Sequence, residues 1–435
     1  MAISIKGRHD ASPIQTQKSG SIIAAIDIGS AKVTCFIAKV KKDDTIDVIG
    51  IGHHASAGVK SGTIVDLKAA ETAIGHAIQA AENMARAKML GQQLTSVYVN
   101  LPGTSALCHN FSVDVKISGQ EITGKEIKAA LSEARKVEVA GQDELIHTIP
   151  AGFSIDGRHG ISEPRGMYGN TLTVHLNAIT GLSPALRNKE VVIGNNHLDI
   201  NGYCAAPYAS GLSCLVEDER ELGCTIIDMG GGTTNIGVFF GGKIIFTSAI
   251  PIGGQHVTSD VARGLTTSIS DAERLKILYG AAMTASADDT DLIDVPLLGE
   301  NTHNVANHIP RSILTGIIQP RIEETFELVR AKLEDAGMSQ VAGRRVVLTG
   351  GASQLPGLCE LGQLILDKKL RVGAPVNMSG LAESTSGPAF STAAGLLIYA
   401  AKHAAEQQPH IVEKVHLAMP GTILEKVGQW LRANW

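Results

Sequence analysis

Residues that could bind an anion are concentrated in the stretch IIDMGGGTTNIGVFF, residues 226–240. A run of β-branched and apolar residues predicts a buried strand that ends at Asp228, and a second such run begins after a short turn. That turn consists of Gly230, Gly231, Gly232, Thr233 and Thr234. Glycine has no side chain, so the backbone N–H groups can approach phosphate closely, and the threonines add hydroxyl donors. Asp228 would then face a phosphate-bound Mg²⁺ ion. A plain glycine-rich hairpin is the alternative if this turn is taken alone.

The same pattern occurs near the beginning of the chain, in IIAAIDIGSAKVTCFIAKV, residues 22–40. The positions of Asp228, Gly230, Gly231 and Thr233 are matched by Asp27, Gly29, Ser30 and Lys32, at an offset of 201 residues. In both copies a third strand-like segment with paired glycines follows. The repeat predicts a duplicated domain whose two aspartate turns face each other across a cleft, with Asp27 and Asp228 binding Mg²⁺ through water.

A third segment, RRVVLTGGASQLPGL (residues 344–358), is a predicted strand that leads into Gly350, Gly351 and a polar turn with Ser353. Such a turn allows a flat base or ribose to approach the backbone. The three segments in this order resemble the nucleotide-binding signature of the actin, Hsp70 and sugar-kinase superfamily. The resemblance implies an α/β protein with the actin/Hsp70-type ATPase fold, two duplicated domains around a nucleotide cleft, and ATP and Mg²⁺ as cofactors.

Length and composition are consistent with a multidomain globular chain. The 435 residues are 44% hydrophobic and 19% charged, which is enough for two or more domains with cores. A formal net charge of −5 gives no reason to expect nucleic acid as a partner. The six cysteines form no CxxC pair, so a reducing cytoplasm is expected and a zinc site is not.

Residues 96–180 differ in character from the flanking sequence. Four strand-like segments and one helix, with a capping box formed by Thr123 and Glu126, predict a compact α+β insertion. The sequence GQEITGKE (residues 119–126) nearly fits a P-loop, but Glu126 stands where Ser or Thr is required, and this reading is rejected. An insertion at this point resembles the 1C subdomain of FtsA, the family of actin-like bacterial cell-division proteins.

The FtsA resemblance implies roles for further residues. In SDAERLKILYG (residues 270–280), Glu273 and Lys276 would line the nucleoside end of the cleft. A long helix broken at Pro320 is predicted in residues 309–333, and Arg311 would contact the acidic C-terminal tail of the division tubulin FtsZ. The family also implies self-association into filaments through 1C and the other subdomains, and binding of later division proteins.

The segment CAAPYASGLSCL, residues 204–215, predicts a helix that crosses towards the second half. In actin this region supplies a glutamine that positions the hydrolytic water, whereas these residues include no Gln, Asn, Asp or Glu. Because in-line phosphoryl transfer depends on a positioned water, the sequence predicts ATP binding with at most weak hydrolysis and no catalytic residue.

The C-terminal sequence TILEKVGQWLRANW follows Pro420 and Gly421 and has one apolar face. The predicted membrane-binding residues are Ile423, Leu424, Val427, Trp430, Leu431 and Trp435. Indole side chains favour the membrane interface, so a short helix of this kind is expected to lie in the membrane surface and not to span it. A helix docked on the body of the protein is the alternative.

These assignments predict the following division of the chain. The segments are an N-terminal tail (1–20), domain 1A (21–95, 181–220 and 385–400), the inserted 1C subdomain (96–180), domain 2A (221–254 and 325–384), subdomain 2B (255–324), a linker (401–419) and an amphipathic helix (420–435).

The predicted function is an ATP-binding division protein that polymerises on the cytoplasmic face of the inner membrane at the septum and tethers FtsZ filaments there. A soluble assembly protein of the PilM type is the nearest alternative, although it would lack the C-terminal helix. A superfamily kinase would need a catalytic carboxylate that the sequence does not offer. An Hsp70-type chaperone would need a further domain, whereas only about 35 residues follow the second interdomain connection.

Overall fold

The computed structural model describes residues 21–41, 45–135, 143–286, 288–298, 307–376 and 378–406. The predicted N-terminal tail and the predicted amphipathic helix lie outside these residues. The strands are β1 (Ile22–Ile28), β2 (Lys32–Val40), β3 (Ile46–Ala55), β4 (Val59–Lys60), β5 (Thr63–Ile64), β6 (Ser96–Leu101), β7 (Ala106–Lys116), β8 (Asp143–Ile155), β9 (Arg158–Ile161), β10 (Thr171–Leu182), β11 (Asp199–Ala205), β12 (Cys224–Met229), β13 (Thr234–Phe240), β14 (Lys243–Ile250), β15 (Leu292–Asp294), β16 (His308–Pro310), β17 (Arg345–Thr349) and β18 (Lys369–Val372). The helices are α1 (Leu67–Met89), α2 (Gly124–Arg135), α3 (Ser183–Gly194), α4 (Ala206–Cys214), α5 (Glu217–Leu222), α6 (Gly254–Gly264), α7 (Ile269–Tyr279), α8 (Arg311–Asp335), α9 (Leu358–Leu366) and α10 (Ser391–Glu406).

Two five-stranded sheets with the same topology form the two halves of the molecule. Their strand orders are β11-β6-β1-β2-β3 and β14-β13-β12-β17-β18. In each sheet three consecutive strands pair antiparallel, and two later strands add in parallel beside the first of them. The register also repeats, because Asp27 pairs with Thr34 and Asp228 pairs with Asn235, 201 positions later in both strands. The predicted duplication is therefore confirmed.

Helix α1 packs on the first sheet through apolar residues that recur at helical spacing along it. Its N-cap residue Asp66 accepts a hydrogen bond from the Ala69 N–H group at 3.0 Å, and its buried face consists mainly of alanine and isoleucine. Strand β3 contains Gly52 in its interior. A Cβ atom at Gly52 would lie 2.0 Å from the Ala77 carbonyl oxygen, so this glycine permits the close contact between β3 and α1.

The insertion forms a separate four-stranded sheet, β7-β10-β8-β9, covered on one face by α2. The predicted capping box is present, because the Thr123 N–H group donates to Glu126 Oε2 at 2.8 Å. The boundary differs from the one expected at residue 96. Strand β6, residues 96–101, belongs to the first sheet, where it lies between β1 and β11. A short apolar run predicts a strand but does not show which sheet the strand joins. Only the observed pairing assigns β6 to the first sheet.

The insertion also contacts the second half of the molecule. The buried Asn177 side chain on β10 donates from Nδ2 to the Ile244 carbonyl oxygen on β14 at 3.2 Å. On the neighbouring strand β8, His147 Nε2 accepts a hydrogen bond of 3.1 Å from the Ala205 N–H group at the start of α4. The insertion therefore touches both halves.

The second half carries a smaller group formed by α6, α7, the β15–β16 pair and the beginning of α8. The sequence-based expectation that α8 breaks at Pro320 is wrong, because the helix is continuous from Arg311 to Asp335. A proline inside a helix costs about 3 kcal/mol or more. The buried face of α8 continues through this point with Ile318 and Ile322, and its packing against the core offsets that cost.

Two helices, α4 and α10, cross at the junction of the halves. A Cβ atom at Gly395 in α10 would lie 1.7 Å from the Ala209 carbonyl oxygen in α4, so the helix backbones are in direct contact. Helix α10 extends through residue 406 and so includes the first residues of the predicted linker. Among the helices of the described residues, none is both long enough and apolar enough to cross a bilayer.

Candidate functional site

The first predicted phosphate turn follows β1, whose last residues are Asp27 and Ile28. The Gly29 N–H group donates to the Lys32 carbonyl oxygen at 3.1 Å and closes the turn. Burial and the neighbouring Asp228 carboxylate raise the pKa of Asp27 to about 7, while Lys32 and Lys189 act in the opposite direction. Burial lowers the pKa of Lys32 to about 8. The turn therefore holds the Asp27 carboxyl group and the Lys32 amino group in a partly buried site, where burial disfavours the charged form of each.

The second turn follows β12 and has the buried Asp228 carboxylate at its base. Gly230 N–H donates to the Thr233 carbonyl oxygen at 2.8 Å. Within the described ranges, the N–H groups of Gly231 and Gly232 donate to no other protein group. Burial raises the pKa of Asp228, and hydrogen bonds from the hydroxyl groups of Thr392 and Ser210 oppose the shift.

The two threonines of this turn have different surroundings. Thr234 is buried, and its hydroxyl group donates to the Ile252 carbonyl oxygen at 2.8 Å. This hydrogen bond within the protein supports the turn and competes with the predicted role of Thr234 as a phosphate donor. Thr233 precedes β13, and its carbonyl oxygen closes the turn.

The two turns lie against each other. A Cβ atom at Gly231 would lie 2.7 Å from the Ala31 Cβ atom, and one at Gly232 would lie 2.5 Å from Ser30 Oγ. The Gln255 side chain of α6 also donates from Nε2 to the Ser30 carbonyl oxygen at 3.1 Å. The equivalent turns of the two repeats are thus brought together, as the sequence predicts.

The third segment meets the second turn from the side of β17. Gly350 has a positive φ of 86°, and a Cβ atom there would lie 2.5 Å from Asp228 Oδ1. Only glycine fits this close approach without strain. Ser353 is buried and donates from Oγ to the Gly350 carbonyl oxygen at 2.7 Å, so it stabilises the turn from within. Gly351 is exposed.

The pair Glu273 and Lys276 lies on α7, next to the start of α6. Lys276 Nζ is 2.7 Å from Glu273 Oε2 and donates to the Gly254 carbonyl oxygen at 3.2 Å. The Gly254 N–H group in turn donates to the Gly230 carbonyl oxygen at 2.9 Å. The ion pair therefore adjoins the second phosphate turn through Gly254, and its role at the nucleoside end of the cleft stays a prediction. The buried Thr258 hydroxyl group, which donates to Glu273, is a member of this cluster that the sequence did not indicate.

A buried polar chain behind the first turn was missed by sequence reasoning. Lys189 Nζ donates to the Asn100 carbonyl oxygen at 2.6 Å, and the Ile28 N–H group donates to Asn100 Oδ1 at 2.9 Å. Burial lowers the pKa of Lys189 to about 8, and Asp27 opposes the shift. One signal was available. Lys189 occupies the apolar face of α3 together with the buried residues Leu186 and Val192, which is an unusual position for a lysine.

Two further missed residues lie at the beginning of α10. Lys32 Nζ is 3.1 Å from the centre of the Phe390 ring, and Thr392 Oγ1 donates to Asp228 Oδ2 at 2.8 Å. The sequence around Phe390 and Thr392 does not indicate these contacts, because their partners Lys32 and Asp228 are far away in the chain.

These residues fit a nucleotide with a magnesium ion. The second turn offers unpaired N–H groups for phosphate. Burial and the Asp228 carboxylate raise the pKa of Asp27, and a divalent cation would offset the repulsion between the two carboxylates. Among the described residues no group of three or more His, Cys, Asp or Glu side chains is placed to bind a metal by itself. A Mg²⁺ ion here would therefore take most of its ligands from phosphate and water, as this ion prefers.

The remaining predicted site residues lie elsewhere. Arg311 Nε donates to the Tyr279 carbonyl oxygen at 2.7 Å, and its Nη1 lies 3.5 Å from Asp288 and 3.9 Å from Asp291. An acidic peptide would have to compete with these carboxylates for Arg311. The six predicted membrane-binding residues, from Ile423 to Trp435, lie outside the described residues.

Comparisons with known proteins show which family this chain resembles. A family model described as cell division protein FtsA matches residues 225–395, and one described as an SHS2 domain inserted in FtsA matches residues 103–180. The cell division protein FtsA of Rhizobium meliloti is 41% identical over 435 residues, which cover 97% of both chains. That of Escherichia coli K12 is 32% identical over 421 residues, which cover 95% of this chain and 98% of the relative.

Solved structures extend the similarity at lower identity. The PilM–PilN type IV pilus biogenesis complex matches with a TM-score of 0.60 and 16% identity, over 88% of this chain and 98% of that one. MreB5 of Spiroplasma citri, in a structure with bound ADP, matches with a TM-score of 0.53 and 14% identity, over 89% and 99% of the two chains. At such identities the matches show the fold alone, which is the actin-like ATPase fold.

Proposed function

The chain belongs to the FtsA family of actin-like cell division proteins, and from this premise we propose that it is an ATP-binding protein that polymerises on the cytoplasmic membrane and tethers FtsZ filaments to it. The tether would lie at the division site, on the cytoplasmic face of the inner membrane, where later division proteins join it. The convergence of the turns at Asp27, Asp228 and Gly350 is the observation on which ATP binding rests.

The geometry of the cleft supports ATP and Mg²⁺ as the ligands. The glycine turns supply backbone donors for phosphate, and Asp27 and Asp228 supply carboxylates for the hydrated ion. Glu273 and Lys276 occupy the side of the cleft next to the second turn. The fold relative MreB5 has been solved with bound ADP, which is consistent with this use of the fold.

Membrane attachment is assigned to the amphipathic helix predicted in residues 420–435. Five or six apolar side chains would contribute about 1.5–3 kcal/mol each on burial, before the cost of ordering the segment. One such helix gives a reversible attachment, and a polymer of many copies gives a strong one through avidity. This relation explains why an actin-like filament would benefit from a short membrane-binding helix.

Sedimentation with liposomes in the presence of Mg-ATP tests this assignment. The full chain should pellet with lipid, whereas a chain truncated after Met419 should stay in solution. Trp430→Glu, on the apolar face, should abolish pelleting, whereas Gln429→Glu places the same charge on the polar face and should have little effect. If the full chain also stays in solution, the helix is not a membrane anchor and the soluble PilM-type alternative gains support.

FtsZ binding is assigned to the surface around Arg311. Tyr279 and Leu292 have exposed side chains and lie near Arg311 in the fold. Arg311 Nε donates to the Tyr279 carbonyl oxygen, and Leu292 pairs with Pro310, the residue before Arg311. A cation beside exposed apolar groups suits an acidic peptide that also has apolar residues. Self-association through the 1C subdomain and the other subdomains completes the proposed scaffold.

Charge reversal at Arg311 tests the FtsZ site. Arg311→Glu should weaken binding of the FtsZ tail peptide by about tenfold or more, and Leu292→Ser should weaken it without disturbing the ion pairs of Arg311. Arg165→Glu, an exposed arginine of the insertion, is the matched control. Equal peptide affinity for the Arg311→Glu chain and the control, with both chains folded, would place the site elsewhere.

A further inference from the structure

The segment Pro388–Thr392, at the beginning of α10, contacts each of the three turns of the candidate nucleotide site. The Gly350 N–H group donates to the Pro388 carbonyl oxygen at 3.1 Å. The Phe390 ring lies under Lys32 Nζ at 3.1 Å. Thr392 Oγ1 donates to Asp228 Oδ2 at 2.8 Å.

The contact between Thr392 and Asp228 is the most constrained of the three. Both side chains are buried, and the residues are 164 positions apart in the chain. One carboxylate oxygen accepts the hydroxyl hydrogen bond, while the other lies beside Gly350, at 2.5 Å from where a Cβ atom would be. Hydrogen bonds from the Thr392 and Ser210 hydroxyl groups both reach this carboxylate, so the direction in which Asp228 presents its charge depends in part on Thr392.

Thr392 is in turn fixed by its neighbours. Ser391, the first residue of α10, accepts hydrogen bonds from Thr349 Oγ1 at its Oγ atom (2.7 Å) and from Ser213 Oγ of α4 at its carbonyl oxygen (2.7 Å). The helix start is therefore attached both to β17 and to α4. A hydroxyl group with this support cannot move away from Asp228 without disturbing the junction of the two halves.

We propose that Thr392 is a positioning residue for the nucleotide site, which acts by orienting the Asp228 carboxylate towards the bound nucleotide and its metal ion. This inference rests on the proposed ATP binding. It adds Thr392 of α10 to a site otherwise formed by the three glycine turns and α7. It also makes the position of the α10 start dependent on the state of Asp228.

Equilibrium binding of a fluorescent ATP analogue with Mg²⁺ to the full chain tests this proposal. Thr392→Val removes the hydroxyl group and keeps the branched shape, and it should weaken binding by about tenfold, the effect of losing one hydrogen bond to a charged group. Thr392→Ser keeps the hydroxyl group and should bind like the wild-type chain. The matched control is Thr315→Val, a buried threonine of α8 whose hydroxyl group has no partner among the described residues.

A double-mutant cycle separates positioning from a general structural effect. In an Asp228→Asn background, Thr392→Val should change the affinity by less than about twofold if it acts through the carboxylate. If Thr392→Val costs the same factor in both backgrounds, or binds like Thr315→Val, the proposal is wrong. Should Thr392→Val fail to fold, Thr392→Ala provides the same comparison. A wild-type chain that binds no nucleotide would refute the proposed function itself, whereas normal binding with an unaffected Thr392→Val chain refutes this inference alone.

Discussion

The environment of Asp27 determines the charge balance of the cleft. Burial and the Asp228 carboxylate raise the pKa of Asp27 to about 7, and the cations of Lys32 and Lys189 oppose this shift. A carboxyl group in such a site is close to half protonated at neutral pH. Binding of a divalent cation favours its ionised form, so the site in the free protein is poised between the two states.

The raised pKa of Asp27 predicts a pH-dependent stability. A carboxyl group whose pKa is higher in the folded chain than its ordinary value of 3.8 stabilises the fold at low pH, and this contribution is lost as the pH rises from about 4 to about 7. Asp27→Asn is neutral throughout. Its free energy of unfolding relative to the wild-type chain should therefore increase across this window by roughly 1 kcal/mol per pH unit.

Urea unfolding of both nucleotide-free chains at several pH values measures this difference. Asp199→Asn, which changes an exposed aspartate, serves as the control. A difference between Asp27→Asn and wild type that stays constant from pH 4 to pH 7 would show that Asp27 ionises normally in the folded protein.

Helices α4 and α10 form the junction through which the two halves are connected. Their backbones touch at Gly395 and Ala209, and hydroxyl groups of Ser213 and Ser391 add a hydrogen-bonded link beside this crossing. Small residues permit this proximity, and the result is that a displacement of one helix is transmitted to the other. Helix α4 begins at the end of β11, and α10 begins beside the Asp228 carboxylate of the cleft.

Substitution at the crossing should be costly. Gly395→Ala would place a methyl group 1.7 Å from the Ala209 carbonyl oxygen, so the helices must separate. We expect a loss of at least roughly 3 kcal/mol in the free energy of unfolding, measured by urea denaturation. Gly194→Ala in α3 is the matched control, because its methyl group meets open space and should be neutral or slightly stabilising. Equal stability of the two variants would contradict the close crossing.

The whole molecule consists of two copies of one sheet topology, with an insertion that contacts both. The cleft lies where the strands β1, β12 and β17 end, which is the usual position of ligand sites in such sheets. Helix α4, on the side of the first half, contains no amide or carboxylate side chain that could orient a water molecule. Helix α4 therefore offers no side chain of the kind that positions a hydrolytic water.

Binding without rapid turnover is the expected behaviour of the complete chain. Mg-ATP at one hundred times its dissociation constant should stabilise the protein by about 2.7 kcal/mol, measured as a shift of the thermal unfolding midpoint, and EDTA should reduce the shift. Phosphate release under the same conditions should be far below the median enzyme turnover of about 10 per second. Turnover at an ordinary enzymatic rate would require a catalytic group that α4 does not provide.

Several features of this protein follow from the sequence because they depend on neighbouring residues. The turns after Asp27 and Asp228 combine β-branched runs with glycine, and both form as predicted. The repeat at 201 residues determines the duplicated topology, and the apolar residues at helical spacing in residues 67–89 place one face of α1 against the first sheet. In each case the information lies within a short window of the chain, or in the comparison of two such windows.

Other features were decided only by the tertiary structure. The sequence predicts that β6 belongs to the insertion, whereas its pairing with β1 places it in the first sheet. Pro320 predicts a broken helix, and packing of the continuous apolar face keeps α8 intact. Lys189 and Thr392 acquire their roles from Asn100 and Asp228, which are 89 and 164 positions away. A hydrogen bond between such distant residues leaves no local pattern, because it is the packing of whole elements that brings the two groups together.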